Sequence, residues 1–231
     1  MAPLMTAVPR VERSGPATTD VSPPRRITFP APRVPARALS AEMSIYFHED
    51  DYCQQQLLPL DAKAFADAEL EKIAEFADAH RAPGGAGWTD MYMRSSPALE
   101  LRVLGISRHH FGETVSRFLA PFDEVYTGYS SHRDRCKRTS AWGRSPTCAL
   151  FADWDEAEVV TNCWAMFFDQ DEASIQAATQ AVAALVEIQA LLYVDWAWNY
   201  ACEVSRADAF SDLLRTKLKT IVVNYEAMKK G

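Results

Sequence analysis

The sequence predicts an α+β fold, with about four helices packed on a mixed, largely antiparallel sheet. Three observations lead there. Segments with a two-residue apolar period and segments with a three-to-four-residue period follow one another in mixed order, not in a repeating strand–helix alternation. The densest apolar stretch, 158–198, reads as strand, amphipathic helix, strand. The chain is 48% hydrophobic over 231 residues, enough for a real core. No run of about 18 apolar residues exists to span a membrane. Residues 43–231 are expected to form a single α+β domain. A coarse strand, strand, helix, strand, helix theme raises two similar sub-lobes, 43–120 and 121–231.

Residues 1–42 hold eight of the 13 prolines and one aromatic, Phe29. Such a segment buries too little apolar surface to offset the entropy of ordering, and it reads as a disordered Pro/Arg-rich extension. It lacks the apolar core of a secretory signal. Met43 opens the globular sequence abruptly, and a biological start there is expected. MSIYF (43–47) and CQQQLL (53–58) read as short strands joined by His48-Glu49-Asp50-Asp51. Asp61 is the expected N-cap of a helix to about His80, with Phe65, Ala66, Leu70, Ile73, Phe76 and Ala77 as its apolar stripe. The glycine run after Pro83 ends it.

WTDMYMR (88–94) alternates as a third strand, and 99–106 is ambiguous between strand and buried helical turn. Ser107 begins a helix to about Leu119. Residues 123–130 read as a strand, and 131–144 as a basic, mobile or partner-facing loop. CALFADW (148–154) is a further strand. In the central unit Asp171 caps a helix bearing Ile175, Ala178, Val182, Leu185, Val186 and Ile188. The strand 191–198 then places Leu192, Val194, Trp196 and Trp198 on one side and Leu191, Tyr193 and Asp195 on the other. Paired parallel with 158–168, it would make a right-handed crossover. A last helix is expected over about 207–228.

Charge is unevenly spread. Residues 1–42 carry net +3 and the remainder net −10. A body this acidic repels nucleic acid and anionic membrane surfaces and favours basic partners. Five cysteines (Cys53, Cys136, Cys148, Cys163, Cys202) show no CxxC spacing and no histidine partners at zinc-ligand intervals. They read as reduced, largely buried thiols of a cytoplasmic protein.

No motif specifies a reaction. There is no GxSxG, GxxxxGK[ST] or GxGxxG, and HHFGE (109–113) is no zinc signature. The pair His109-His110 reads as one core and one surface histidine. No catalytic set, metal site or cofactor is predicted. The acids Glu49, Asp50, Asp51, Asp153, Asp155 and Glu156 read first as solvated turns and helix caps. Their functional reading is a surface that steers a basic protein. Asp169, Asp171 and Glu172 fall under the same ordinary reading. Trp142 and Trp198 are candidate aromatic anchors, alongside Trp88, if they are exposed. The enzyme alternative is a small hydrolase or thiol enzyme using Cys136 with His132, or His48 with carboxylates, which needs a helix or pocket to bring them together.

At MSIYFHEDDYCQQQLLP, followed by GWTDMYMR and later FFDQDEASIQ with LLYVDWAWN, the chain resembles small bacterial immunity proteins encoded beside polymorphic or type VI-secreted toxins. The resemblance covers about Met43 to Leu214. Its motifs are structural, and no functional residue transfers by position; the basic segment and the Pro-rich extension depart from it. It implies a non-enzymatic module whose partner is a cognate toxin protein, held by occlusion of the toxin's active site. An accessory protein of a secreted effector system is the third reading. Oligomeric state is left open.

Overall fold

The central sheet has seven strands in the order β10-β9-β2-β8-β7-β6-β3. These are β2 (Gln55–Pro59), β3 (Ala120–Pro121), β6 (Thr139–Ser145), β7 (Cys148–Trp154), β8 (Val160–Phe167), β9 (Leu191–Asp195) and β10 (Tyr200–Glu203). Every neighbouring pair in it is antiparallel. A second sheet has the order β1-β4-β5, from β1 (Ser44–His48), β4 (Glu124–Tyr129) and β5 (His132–Arg135), with β1 and β4 parallel. The helices are α1 (Lys63–Ala79), α2 (Arg108–Val115) and α3 (Glu172–Ile188), with residues 209–216 also helical. The expected α+β class stands.

This computed structural model describes residues 43–83, 88–95, 97, 99–129, 132–169, 171–204 and 209–216. The extension 1–42, the glycine run and the part of the expected last helix beyond Thr216 lie outside the described residues.

Two-residue alternation assigns each strand side chain to one of two faces. One face carries Leu57, Leu150, Cys163, Ala165, Phe167 and Tyr193, packed against Ile175, Ala178, Val182 and Leu185 of α3 and Phe111 and Val115 of α2. The opposite face is shared by two covers. Ala149, Phe151, Trp164 and Met166 pack under Ile45, Phe47 and Val125 of the small sheet. Leu58, Leu192 and Val194 pack under Ala66 and Leu70 of α1. Phe151 and Trp164 stack with ring centroids 3.9 Å apart at the centre of that face. Burying each such side chain contributes about 1.5–3 kcal/mol.

Local chemistry explains where the helices start. Asp171 accepts the Ser174 N–H at 2.9 Å and caps α3, and Ser107 accepts the His110 N–H at 3.2 Å and caps α2. Asp61 does not cap α1; the chain enters through a 3-10 turn, Leu60–Ala62, and the N-cap Ala62 has no side-chain bond. Residues 101–104 also settle as a 3-10 turn.

Several expectations are corrected. Residues 88–94 form no strand; beyond one bridge between Arg81 and Trp88, the Thr89 N–H bonds the His80 carbonyl at the end of α1, the Met91 N–H bonds the Asp90 carboxylate, and the Tyr92 hydroxyl bonds Glu69. The strand expected over 191–198 stops at Asp195, whose carboxylate accepts the Trp198 N–H, and Asn199 (φ 51°) turns the chain back into β10. Strands β8 and β9 run parallel but do not pair, because β2 lies between them, antiparallel to both. The basic segment 131–144 is no loop: β5 and β6 take most of it. Gly128 (φ 122°) belongs to the β4–β5 hairpin, where a Cβ would meet the His132 carbonyl at 2.3 Å. The proposed division into 43–120 and 121–231 cuts across both sheets, since β1 pairs with β4 and β2 sits inside the later strands.

Candidate functional site

Between α1 and the small sheet, part of the central sheet is left without an apolar cover. The side chains there form a polar row across four adjacent strands: Gln56 on β2, Asn162 on β8, Asp153 on β7 and Thr139 on β6. Asp153 pairs in register with both Asn162 and Thr139, so all face the same way. Gln56 Nε2 donates to Asn162 Oδ1 (2.9 Å), Asn162 Nδ2 to Asp153 Oδ2 (3.2 Å), and Thr139 Oγ1 to Asp153 Oδ1 (2.7 Å). At the other end Trp196 Nε1 donates to Gln56 Oε1 (3.2 Å). The row floors a cleft of about 480 Å³ walled by Tyr52, Cys53, Arg94, Glu100 and Arg138.

The wall on the α1 side depends on a buried acid. Glu69 is only 1% exposed, yet it accepts Tyr92 Oη–H (2.9 Å) and the Ser95 N–H (2.8 Å), and Lys72 reaches it at 3.2 Å. Burial pushes its carboxyl up, but these donors outweigh that and hold it below its ordinary value. Glu69 thereby pins residues 92–95 and positions Arg94, which stacks on Trp196 and donates to the Cys53 carbonyl. The sequence reading missed Glu69 because it took the helix's buried stripe to be apolar.

The opposite wall follows from the acidic turn. Residues Glu49–Asp51 form a 3-10 turn entered from His48, whose Nδ1 accepts the Asp50 N–H. Glu49 and Asp50 are exposed and Asp51 half-buried. Among the described residues no Lys or Arg forms an ion pair with any of the three; Asp50 faces His48 Nδ1 at 3.2 Å. Two exposed tyrosines flank the turn. Tyr129 (52% exposed) packs edge-on to His48, and the Glu49 charge pushes its phenol up. Tyr52 (46% exposed) donates to Asp153 Oδ2 at 2.9 Å, joining the turn to the cleft. Burial first, then the neighbouring Cys53 and Asp153, pushes the Tyr52 phenol up.

The other predicted site residues are placed differently. Asp155 is spent on structure: it accepts the Ala157 and Val159 N–H groups and pairs with Arg102 at 2.6 Å. Glu156 is neutralised by Arg138 at 2.9 Å. Asp169 gathers the Ser145, Thr147 and Ser174 hydroxyls, and Glu172 pairs with Arg215. Trp142 is 6% exposed and packs on Phe111, so it is a core residue and not a surface anchor. Trp198 is 38% exposed in the β9–β10 turn, which is tied to the chain after Tyr52 by Trp196 N–H to the Gln54 carbonyl. Trp88 is exposed. His109 and His110 are both on the surface, correcting the expected core member.

The Cys136/His132 enzyme alternative finds no geometry. His132 pairs with Tyr129 at one end of β4, whereas the Cys136 N–H reaches Val125 near the other end. Four residue steps of extended chain separate them, about 13 Å. His132 instead faces Asp134, and burial pushes the Cys136 thiol up. Cys53 lies in the cleft wall with a left-handed backbone (φ 56°) and accepts from Asn162 Nδ2 at 3.0 Å. Burial pushes its thiol up to about 11, so it rests protonated. Among the described residues no group of three His, Cys, Asp or Glu side chains could hold a metal. No described helix is long and apolar enough to cross a membrane. No protein-family model matches the chain, and no curated protein or solved structure is significantly similar to it.

Proposed function

We propose that this chain is a non-enzymatic protein-binding module that docks a basic partner on the edge formed by Glu49, Asp50, Asp51, Tyr52, Tyr129 and Asp153. Its specific role in this reading is that of an immunity protein, occluding the active site of a cognate bacterial toxin. One observation carries the proposal: an exposed acidic turn with no Lys or Arg paired to it among the described residues, set between two exposed tyrosines. Uncompensated surface charge accelerates encounter with a basic partner, and tyrosine rings set its residence time. Rigidity supports the same reading. Tyr52 packs on Trp164 and Phe47, and Tyr129 on His48, so little side-chain entropy remains to be lost on docking. The immunity role is what the sequence resemblance over 43–214 implies, and the growth-rescue experiment is its test.

The reading is tested in a bacterial host that expresses the protein encoded by the adjacent gene. Co-expression of this chain should restore growth, and the triple variant Glu49→Lys/Asp50→Lys/Asp51→Lys, folded by circular dichroism, should not. Growth arrest that persists with the native chain removes the immunity role. Full rescue by the triple variant removes the acidic edge.

A further inference from the structure

The Asp153 carboxylate has an unusual set of partners for a charge set in a cleft. Three neutral groups hold it: Thr139 Oγ1 on Oδ1, and Tyr52 Oη and Asn162 Nδ2 on Oδ2. These bonds orient the carboxylate without cancelling its charge. Neither guanidinium in the cleft walls reaches Asp153: Arg138 pairs with Glu156, while Arg94 is held by the Cys53 carbonyl and the Trp196 ring, neutral partners that leave its charge in place. Accordingly the Asp153 charge adds to burial in pushing up the neighbouring Tyr52 phenol and the Cys53 and Cys163 thiols. A carboxylate offers about four acceptor positions, and three are filled here. The remaining one, on Oδ1, is left for a donor from outside.

We infer that this cleft receives an arginine side chain of the partner protein, whose guanidinium docks on Asp153 with the Tyr52 ring against its plane. The assignment rests on the acidic-edge reading and names what that edge delivers into the cleft. Size allows it, since about 480 Å³ is ample for a side chain and its hydration. A guanidinium is the group suited to this position. It is planar, weakly hydrated, stacks on aromatic rings and gives up less hydration than an ammonium on entering a cleft. Glu100 in the wall adds a second negative group. The polar row fixes the receptor beforehand: Gln56 holds Asn162, and Asn162 and Thr139 hold Asp153.

The test uses the full chain, labelled with nitrogen-15, and three probes: N-acetyl-arginine methylamide, its neutral citrulline isostere and the lysine analogue. The arginine compound should shift the Asn162 side-chain amide signals saturably. The citrulline compound should bind at least tenfold more weakly, as expected when a charge-assisted bond is lost, and the lysine compound should fall between them. Asp153→Asn should abolish the shift. Tyr52→Ala, with its fold checked by circular dichroism because the ring packs on Phe47 and Trp164, should weaken it while leaving the charge in place. Equal response to the arginine and citrulline compounds, or none to either, overturns the inference; tighter binding of the lysine compound overturns the choice of arginine. No partner protein enters this experiment, so its failure is distinct from a failure of the growth-rescue test.

Discussion

Replacing Glu69 by alanine should be far more damaging than its place on a helix surface rich in acids implies. The carboxylate is buried and accepts the Tyr92 hydroxyl at 2.9 Å and the Ser95 N–H at 2.8 Å, with Lys72 beside it. Hydrogen bonds to a charged acceptor contribute about 1.5–3 kcal/mol each, while the half-exposed Lys72 adds roughly 0–1. The variant also relieves the cost of burying the charge, so the net loss expected is about 2–4 kcal/mol. For a domain of this size that lowers Tm by roughly 5–12 °C. Urea unfolding followed by tryptophan fluorescence measures it, with Glu71→Ala, an exposed site on the same helix, as control within about 0.5 kcal/mol. Because Glu69 pins residues 92–95, proteolysis should also open that segment first. A loss no larger than that of Glu71→Ala would refute the reasoning.

Stability should fall in acid for the same reason. Glu69, Asp155, Asp171 and Glu172 all have carboxyls held below their ordinary values. Lowered folded values mean that the contribution is fully present above the unfolded carboxylate range and is lost as pH falls through the folded values. Unfolding free energy should therefore be flat from pH 7 to about 5 and drop below about pH 4, which a titration by circular dichroism in fixed urea reads directly. Trp142→Ala should cost about 3–5 kcal/mol as a core truncation, whereas Trp198→Ala should stay within about 0.5, both read by urea unfolding. Thiols should be quiet in the native state: Cys53, Cys148 and Cys202 are each pushed up to about 11, leaving roughly one thiolate in a thousand at pH 8. A disulfide reagent should react slowly before unfolding and with five thiols per chain after it; a fast native thiol would contradict the burial argument.

Local signals in the sequence were strong where the chemistry is local. β7 begins and ends where its apolar run does, β8 and α3 fall within two residues of expectation, and Ser107 and Asp171 cap as their side chains dictate. The alternation of Leu192, Val194 and Trp196 against Leu191 and Tyr193 is also seen. Failures come where distant partners outvote local pattern. The 88–94 segment alternates, but Glu69 and Phe76 take up its Tyr92 side chain and no strand edge is offered to it. The HRDR of β5 looks like a loop because all four side chains face solvent, yet charged side chains are what an exposed edge strand tolerates.

The cleft was the least legible part. Glu49, Asp50, Asp51 and Asp153 were visible as acids, but their convergence through Tyr52 depends on contacts a hundred residues apart. Thr139 and Asn162 reach Asp153 through the consecutive pairing of β6, β7 and β8, but Gln56 joins the row only because β2 inserts between β8 and β9. The available hint was polar residues inside strands that otherwise build the core, Asn162 in VTNCWAMF and Gln55 and Gln56 in QQLLP. A buried polar side chain is retained only with partners, so each such interruption marks a network or a site. Asp155, Glu156 and Trp142 show the converse: residue type alone does not tell a paired acid from a free one, or a core indole from an exposed one.

The most direct test of the acidic edge is the association rate constant with the protein encoded by the adjacent gene, measured by stopped-flow fluorescence over a range of salt. The native chain should bind fastest at low ionic strength, and the Glu49→Lys/Asp50→Lys/Asp51→Lys variant roughly 10–100-fold more slowly, the gap closing as salt screens the charges. Equal rates for the two proteins at low salt would contradict the account.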